Sequence, residues 1–229
     1  MKATIASLLL LTAIHASAAF SINLPGNTET GTWSNLYKLP TIEGNPPPPA
    51  PPSLTTLIAS SGSSATFTRT SGPAFYTGSG SGIYSANPMD FMGTYPSSFS
   101  ISDDAPIVDL ATIVFQARFN LAPTSILLSL NGATTGPLSN IEATFATNSL
   151  AATDIFDHAW QWDLSGVTEE ITSYEISFTV PGHGVIYSGQ TPISVHTSDS
   201  FVQVVPEPTT GLLAIAPLAF VVLRRRRAA

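Results

Sequence analysis

The chain of 229 residues contains no cysteine. Disulfide bonds, thiolate catalysis and cysteine-ligated zinc sites are therefore excluded as sources of stability or activity. The body of the protein must be stabilised by its hydrophobic core, and the chain is long enough to bury one.

Basic residues are also scarce, with 8 lysines and arginines against 15 aspartates and glutamates. Most of the basic residues lie at the two ends of the chain, at Lys2, Arg224, Arg225, Arg226 and Arg227. Only Lys38, Arg69 and Arg118 remain in the body. So few positive charges cannot neutralise a run of phosphates, so nucleic acid is excluded as a partner and anionic lipid surfaces are disfavoured.

The N-terminus has the pattern of a secretory signal peptide. Lys2 supplies a positive charge, an apolar run follows from Ile5 to Ile14, and Ala16-Ser17-Ala18 is an Ala-x-Ala cleavage site. The run is too short for a permanent anchor. We expect residues 1–18 to form a signal helix that engages the Sec export machinery, with cleavage after Ala18 or, as the alternative, after Ala19.

The C-terminus combines a polar motif, a short apolar run and a block of arginines. Val205-Pro206-Glu207-Pro208 precedes a run of 13 residues from Gly211 to Leu223. As a helix this run spans about 20 Å, whereas the bilayer hydrocarbon is about 30 Å thick. Pro217 weakens the helix further. The sequence therefore predicts a transient inner-membrane anchor, with the arginines at 224–227 fixing the C-terminus in the cytoplasm.

This arrangement resembles the PEP-CTERM sorting signal of Gram-negative bacteria, and the resemblance is confined to about residues 205–229. It implies that Val205, Pro206, Glu207 and Pro208 form a motif recognised by an exosortase, a membrane-embedded enzyme resembling a cysteine transpeptidase. It also implies C-terminal processing and delivery to the cell envelope or the extracellular space. The alternative is an ordinary C-terminal tail anchor in which the tripeptide is accidental.

The chain divides into a signal peptide (1–18), a proline-rich irregular segment (19–59), a β domain (60–204) and the sorting signal (205–229). Within the irregular segment, the proline run at 45–52 predicts exposed polyproline II. It serves either as a stiff spacer or as a docking site for a proline-reading partner.

Short strands separated by turn signals dominate the β domain. Ile176, Phe178 and Val180 alternate with polar residues, and a longer β-rich run covers Pro106–Phe119. Asn131-Gly132 predicts a tight turn. Because no helical period exceeds two turns, we expect an antiparallel β-sandwich or a jelly-roll-like domain, with helices only in the signal peptide and at 211–223.

Trp160 and Trp162 share one strand face with Leu164, while Gln161 and Asp163 lie on the other face. Two tryptophans on a sheet could stack on sugar rings of an exopolysaccharide. The same stripe is also what the interior of a sandwich requires, and this second interpretation is the favoured one.

The acidic and histidine residues form no recognisable catalytic or metal-binding motif. Asp103-Asp104 could ligate calcium, Asp154 and Asp157 form a similar weak cluster, and the histidines of the body are His158, His183 and His196. Their spacing matches no EF-hand loop and no His-x-x-x-His pair. We therefore expect no metal, no cofactor and no enzymatic activity. A polysaccharide-acting enzyme would need two carboxylates brought together by the fold.

The sequence predicts an exported, non-enzymatic protein of the cell envelope or extracellular matrix. The alternative function is a carbohydrate-binding β-sandwich module that acts on exopolysaccharide.

Overall fold

A computed structural model describes residues 20–33, 57–58, 63–76, 82–86, 95–133, 138, 141–149, 154–187 and 193–205. The predicted signal peptide, the proline run, Pro206–Pro208 and the C-terminal apolar helix lie outside these residues. The part of the chain that the structure describes contains no helix that could cross a membrane.

The described residues form thirteen strands. In chain order they are β1 (Thr28–Trp33), β2 (Leu57–Ile58), β3 (Thr66–Ser71), β4 (Phe75–Tyr76), β5 (Gly82–Tyr84), β6 (Ser97–Asp103), β7 (Thr112–Phe119), β8 (Thr124–Leu130), β9 (Thr144–Ser149), β10 (Phe156–Asp163), β11 (Tyr174–Val180), β12 (Val185–Tyr187) and β13 (Ile193–Ser198). The expected all-β class is confirmed for this part of the chain.

The strands form two antiparallel sheets. The smaller sheet has the order β2-β3-β6-β11-β8. In the larger sheet β7 is central, with β10 and then β9 on one side. On the other side, β13 and β12 pair with successive parts of β7. Strand β1 pairs with β13, and β5 and then β4 continue the sheet beyond β12. The two sheets share one hydrophobic core, so the architecture is β-sandwich-like.

Aromatic rings join the two sheets across the core. Phe178 of β11 lies 5.7 Å from Phe99 of β6 and 5.2 Å from Phe115 of β7, measured between ring centroids. Phe67 of β3 stacks on Phe99 at 5.5 Å. All four side chains are almost completely buried. Such a ring contributes several kcal/mol, since removing a buried phenylalanine side chain costs about 3–5 kcal/mol.

The turn predicted at Asn131-Gly132 is confirmed. Both residues have positive φ, 53° and 67° respectively, as tight hairpin turns require. The Asn131 carboxamide also holds the loop before β11: its Oδ1 accepts from the amides of Thr172 and Ser173, and its Nδ2 donates to Glu170 O.

Two boundaries differ from the sequence expectations. The segment 19–59 is expected to be irregular, which is wrong for Thr28–Trp33 and for Leu57–Ile58. The first range forms β1 at the edge of the larger sheet, and the second forms β2 at the edge of the smaller sheet. The β-rich run Pro106–Phe119 becomes a strand only from Thr112. Asp109, with φ of 59°, lies in the turn before it.

Strand β7 is buried on both faces. Ile113 and Phe115 face the shared core, whereas Val114, Gln116 and Arg118 point to the opposite side and are buried as well. The outer face of an antiparallel sheet is commonly solvated. Further chain must therefore cover this face of the larger sheet, and part of that cover is formed by the two ends of the described body.

Candidate functional site

The first and last strands of the described body are neighbours. β1 pairs with β13 in antiparallel register, from Thr28 opposite Ser198 to Trp33 opposite Ile193. The pairing continues beyond the strands, because Asn27 N donates to Asp199 Oδ1 at 3.0 Å and Asp199 N donates to Asn27 O at 3.2 Å. The two ends of the described body are thus fixed beside each other.

A glycine permits this close approach. Gly26 has a φ of +78°, and a Cβ built there would lie 2.0 Å from Asp199 Oδ1. Other residues rarely adopt such a φ and would collide with the carboxylate. Ser198 Oγ donates to Pro25 O next to this contact, so the junction between the two ends is closely fitted.

The leading segment, Phe20–Leu24, lies on the outer face of the larger sheet. Its alternate residues Phe20, Ile22 and Leu24 pack against a cluster formed by Val114, Ala159 and Val205. Ser21 and Asn23 between them are exposed. This alternation is that of an extended chain with one apolar face.

The trailing segment, Val202–Val205, lies against the same cluster, and we refer to it as the C-terminal strap. Its backbone is held by the carboxamide of Gln161 in the middle of β10. Gln161 Oε1 accepts from the amides of Val204 (2.9 Å) and Val205 (3.0 Å). Gln161 Nε2 donates to Val202 O at 2.6 Å. Three bonds from one side chain therefore fix the strap.

Burial adds to these bonds. Gln161 is 1% exposed and Val205 is 0% exposed. Complete burial of a valine side chain contributes about 1.5–3 kcal/mol, and each hydrogen bond contributes about 1 kcal/mol. Leaving the buried carboxamide without partners would cost further free energy, so the strap belongs to the folded domain.

Only the first residue of the predicted sorting motif lies within this site. Val205 belongs to the strap, whereas Pro206, Glu207, Pro208 and the arginine block at 224–227 lie outside the described residues. The sequence assigned Gln161 to the strand face opposite the tryptophans, in agreement with the structure. It did not indicate that Gln161 is buried or that it binds the strap.

Trp160 and Trp162 both belong to the hydrophobic core, in agreement with the favoured interpretation. Trp162 is 1% exposed, so it presents no ring face to a sugar. Trp160 is 7% exposed and stacks between Phe115 at 5.3 Å and Phe145 at 5.2 Å. It also lines a groove of about 520 Å³ beside Ile126 and Leu127 of β8.

The candidate carboxylates have structural partners. Asp103 accepts from Ser64 Oγ at 2.5 Å and from Ala105 N at 3.0 Å. Asp157 is fully buried on the outer face and forms two hydrogen bonds with Arg118, Nε to Oδ1 at 2.8 Å and Nη2 to Oδ2 at 3.0 Å. Within the described ranges, no group of three histidine or acidic residues could hold a metal ion.

The three histidines of the body occupy separate environments. His183, with φ of 66°, accepts or donates a hydrogen bond with Tyr84 Oη at 2.7 Å. His196 lies between Thr30 Oγ1 and Ser194 Oγ, and burial lowers its pKa to about 4. His158 lies among aromatic rings, and burial lowers its pKa to about 4 against the opposing effect of Asp157.

No family model, curated protein or solved structure matches this chain.

Proposed function

We propose that the protein is an exported, non-enzymatic component of the cell envelope or extracellular matrix, and that an exosortase processes its C-terminus. In this proposal residues 1–18 direct Sec export. Pro206, Glu207 and Pro208 are the recognition motif, and Arg224–Arg227 hold the C-terminus in the cytoplasm until processing. The mature β domain then remains in the envelope or outside the cell.

One observation carries the proposal: both chain ends pack on one patch of the larger sheet. Phe20 is the second residue after the predicted signal-peptide cleavage site, and Val205 is the first residue of the predicted sorting motif. Both contact the cluster of Val114 and Ala159. A signal peptide and a sorting tail therefore extend from neighbouring positions, so both ends of the domain can be held at one membrane surface.

The side chains of the body support a structural role. Asp103 and Asp157 use their carboxylates in internal hydrogen bonds, and Asp157 is paired with Arg118. Both carboxylates are therefore engaged in contacts within the folded domain, as a structural role requires.

Processing is tested by replacing the acid of the motif. In a Gram-negative host with an exosortase, we expect Glu207→Gln to leave the arginine block on most of the protein. Glu175→Gln provides the matched control, because Glu175 is an exposed residue of β11. We expect this variant to be processed like the wild type. Equal processing of wild type and Glu207→Gln would contradict the proposal.

A carbohydrate-binding function is the second candidate, and the groove beside Trp160 and Phe145 favours it. Its volume of about 520 Å³ lies in the range of small-ligand sites. The test is binding of the host exopolysaccharide to the purified domain. Loss of binding in Phe145→Ala with retained folding would support this function, and unchanged binding would exclude the groove.

The finer description of the fold is part of the same proposal. We infer a jelly-roll-like sandwich with a signal helix before it and a short apolar helix at 211–223. The pairing of the first and last described strands supports the jelly-roll element. So do the repeated crossings between sheets, such as from β6 to β7 and from β7 to β8.

A further inference from the structure

The strap and a processing enzyme would compete for the same backbone groups. Enzymes that recognise short peptide motifs commonly bind the chain in an extended form through its main-chain amides and carbonyls. The amides of Val204 and Val205 already donate to Gln161 Oε1. Val205 is also buried in the cluster on the outer face.

We propose that docking of Val202–Val205 on Gln161 gates C-terminal processing, so that the enzyme cuts the strap-released form of the domain. This inference depends on the proposed function, because it concerns the same processing event. It adds a regulatory step. In the docked state, the folded β domain makes the residues immediately before the Pro-Glu-Pro motif inaccessible to the enzyme.

The rate of processing then depends on the fraction of molecules in which the strap is released. When the competent state is a minor one, the observed rate is reduced by its population. Gln161→Leu removes all three bonds to the strap and replaces the carboxamide with an apolar side chain of similar volume. We expect about a ten- to hundredfold rise in the released fraction, and the same rise in processing rate, from the loss of these bonds.

The chain offers a matched control for this variant. Asn131 binds the Glu170–Ser173 loop with the same spacing that Gln161 uses for the strap. One side-chain oxygen accepts from two successive amides, and the side-chain nitrogen donates to the carbonyl two residues before the first of them. Asn131→Gly removes these bonds at a position whose φ of 53° suits glycine. It weakens the domain without touching the strap.

The experiment uses the full chain. Pulse–chase labelling in a host with an exosortase gives the processing rates of wild type, Gln161→Leu and Asn131→Gly. Hydrogen exchange on the full chain in detergent micelles gives the opening of the Val204 and Val205 amides. We expect Gln161→Leu alone to exchange faster at these two amides and to be processed faster.

The possible failures are distinguishable. Faster exchange in Gln161→Leu with unchanged processing overturns the gate but leaves the proposed function intact. Absence of processing in every variant overturns the proposed function. If Gln161→Leu does not accumulate as folded protein, hydrogen exchange of the wild type tests the gate instead. Val204 and Val205 amides that are unprotected in the wild type would show that the strap does not dock, and would overturn the gate.

Discussion

Gln161 and Val205 are joined on the outer face of the larger sheet, where the side-chain oxygen of Gln161 accepts from the backbone amide of Val205 at 3.0 Å. Gln161 lies in the interior of a strand, and Val205 begins the predicted sorting motif. The folded domain therefore extends as far as the motif, without a flexible linker between them. In the proposed gate, this contact couples the fold of the body to the processing of its C-terminus.

The buried ion pair of the outer face gives the first prediction. Asp157 is fully buried, and its two oxygens bind Arg118. Asp157→Asn leaves the guanidinium buried without its counter-charge, so we expect the free energy of unfolding to fall by about 3–5 kcal/mol. Urea denaturation measures this change. Asp104→Asn, at an exposed position, should change stability by less than about 0.5 kcal/mol.

A double variant tests the same interaction from the other direction. Replacing both partners with apolar residues, as in Arg118→Met with Asp157→Leu, removes both buried charges. We expect it to recover most of the stability that Asp157→Asn loses. A double variant as unstable as the single one would show that the pair does more than balance charge.

His158 gives a prediction about pH. Neither of its ring nitrogens has a hydrogen-bond partner among the described residues, and burial lowers its pKa from 6.5 to about 4. Between these two values the unfolded chain binds a proton at His158 that the folded domain does not. His158 therefore contributes a fall in the free energy of unfolding as the pH falls through this window, of up to about 1.4 kcal/mol per pH unit.

The measurement is urea denaturation of wild type and His158→Phe across this pH window. We expect the variant to have a shallower pH dependence and, because two unsatisfied nitrogens are removed, to be at least as stable at pH 7. Comparison with the wild type cancels the contributions of His196, whose pKa is also lowered to about 4 by burial, and of Glu29, whose pKa is raised by burial and by Asp103. Identical slopes in the two proteins would contradict this account of His158.

Gly26 provides a test of the paired ends. Alanine there would need a φ of +78° and would place its Cβ 2.0 Å from Asp199 Oδ1. We expect Gly26→Ala to lower stability by about 1–3 kcal/mol and to increase hydrogen exchange at Asn27 and Asp199. Gly166→Ala is the control, since no atom lies within 4 Å of a Cβ at that position. A loss of the same size in both variants would show that the junction is not closely fitted.

The sequence predicted the elements whose patterns are local. The alternation of Ile176, Phe178 and Val180 identified β11, and the Asn131-Gly132 pair identified the turn that follows β8. The cover on the larger sheet could not be predicted this way, because it depends on contacts between residues as distant as Phe20 and Val205. One signal was available: Ile113-Val114-Phe115 is a continuous apolar run, which is typical of a strand buried on both faces.

The role of Gln161 was not predictable for a related reason. A glutamine opposite the tryptophan face of a strand is the usual pattern for a solvated position, and its buried state here follows only from the strap that covers it. In the same way, Asp157 belonged to a weak acidic cluster in the sequence. The structure pairs it with Arg118, whose position 39 residues away gave no indication of contact.

The central claim is that the mature protein is the β domain with both terminal signals removed. The intact mass of the wild-type protein recovered from the envelope and medium of an exosortase-containing host tests it most directly. We expect a chain that begins at Ala19 and lacks Arg224–Arg227. A mature protein that retains these arginines would contradict it.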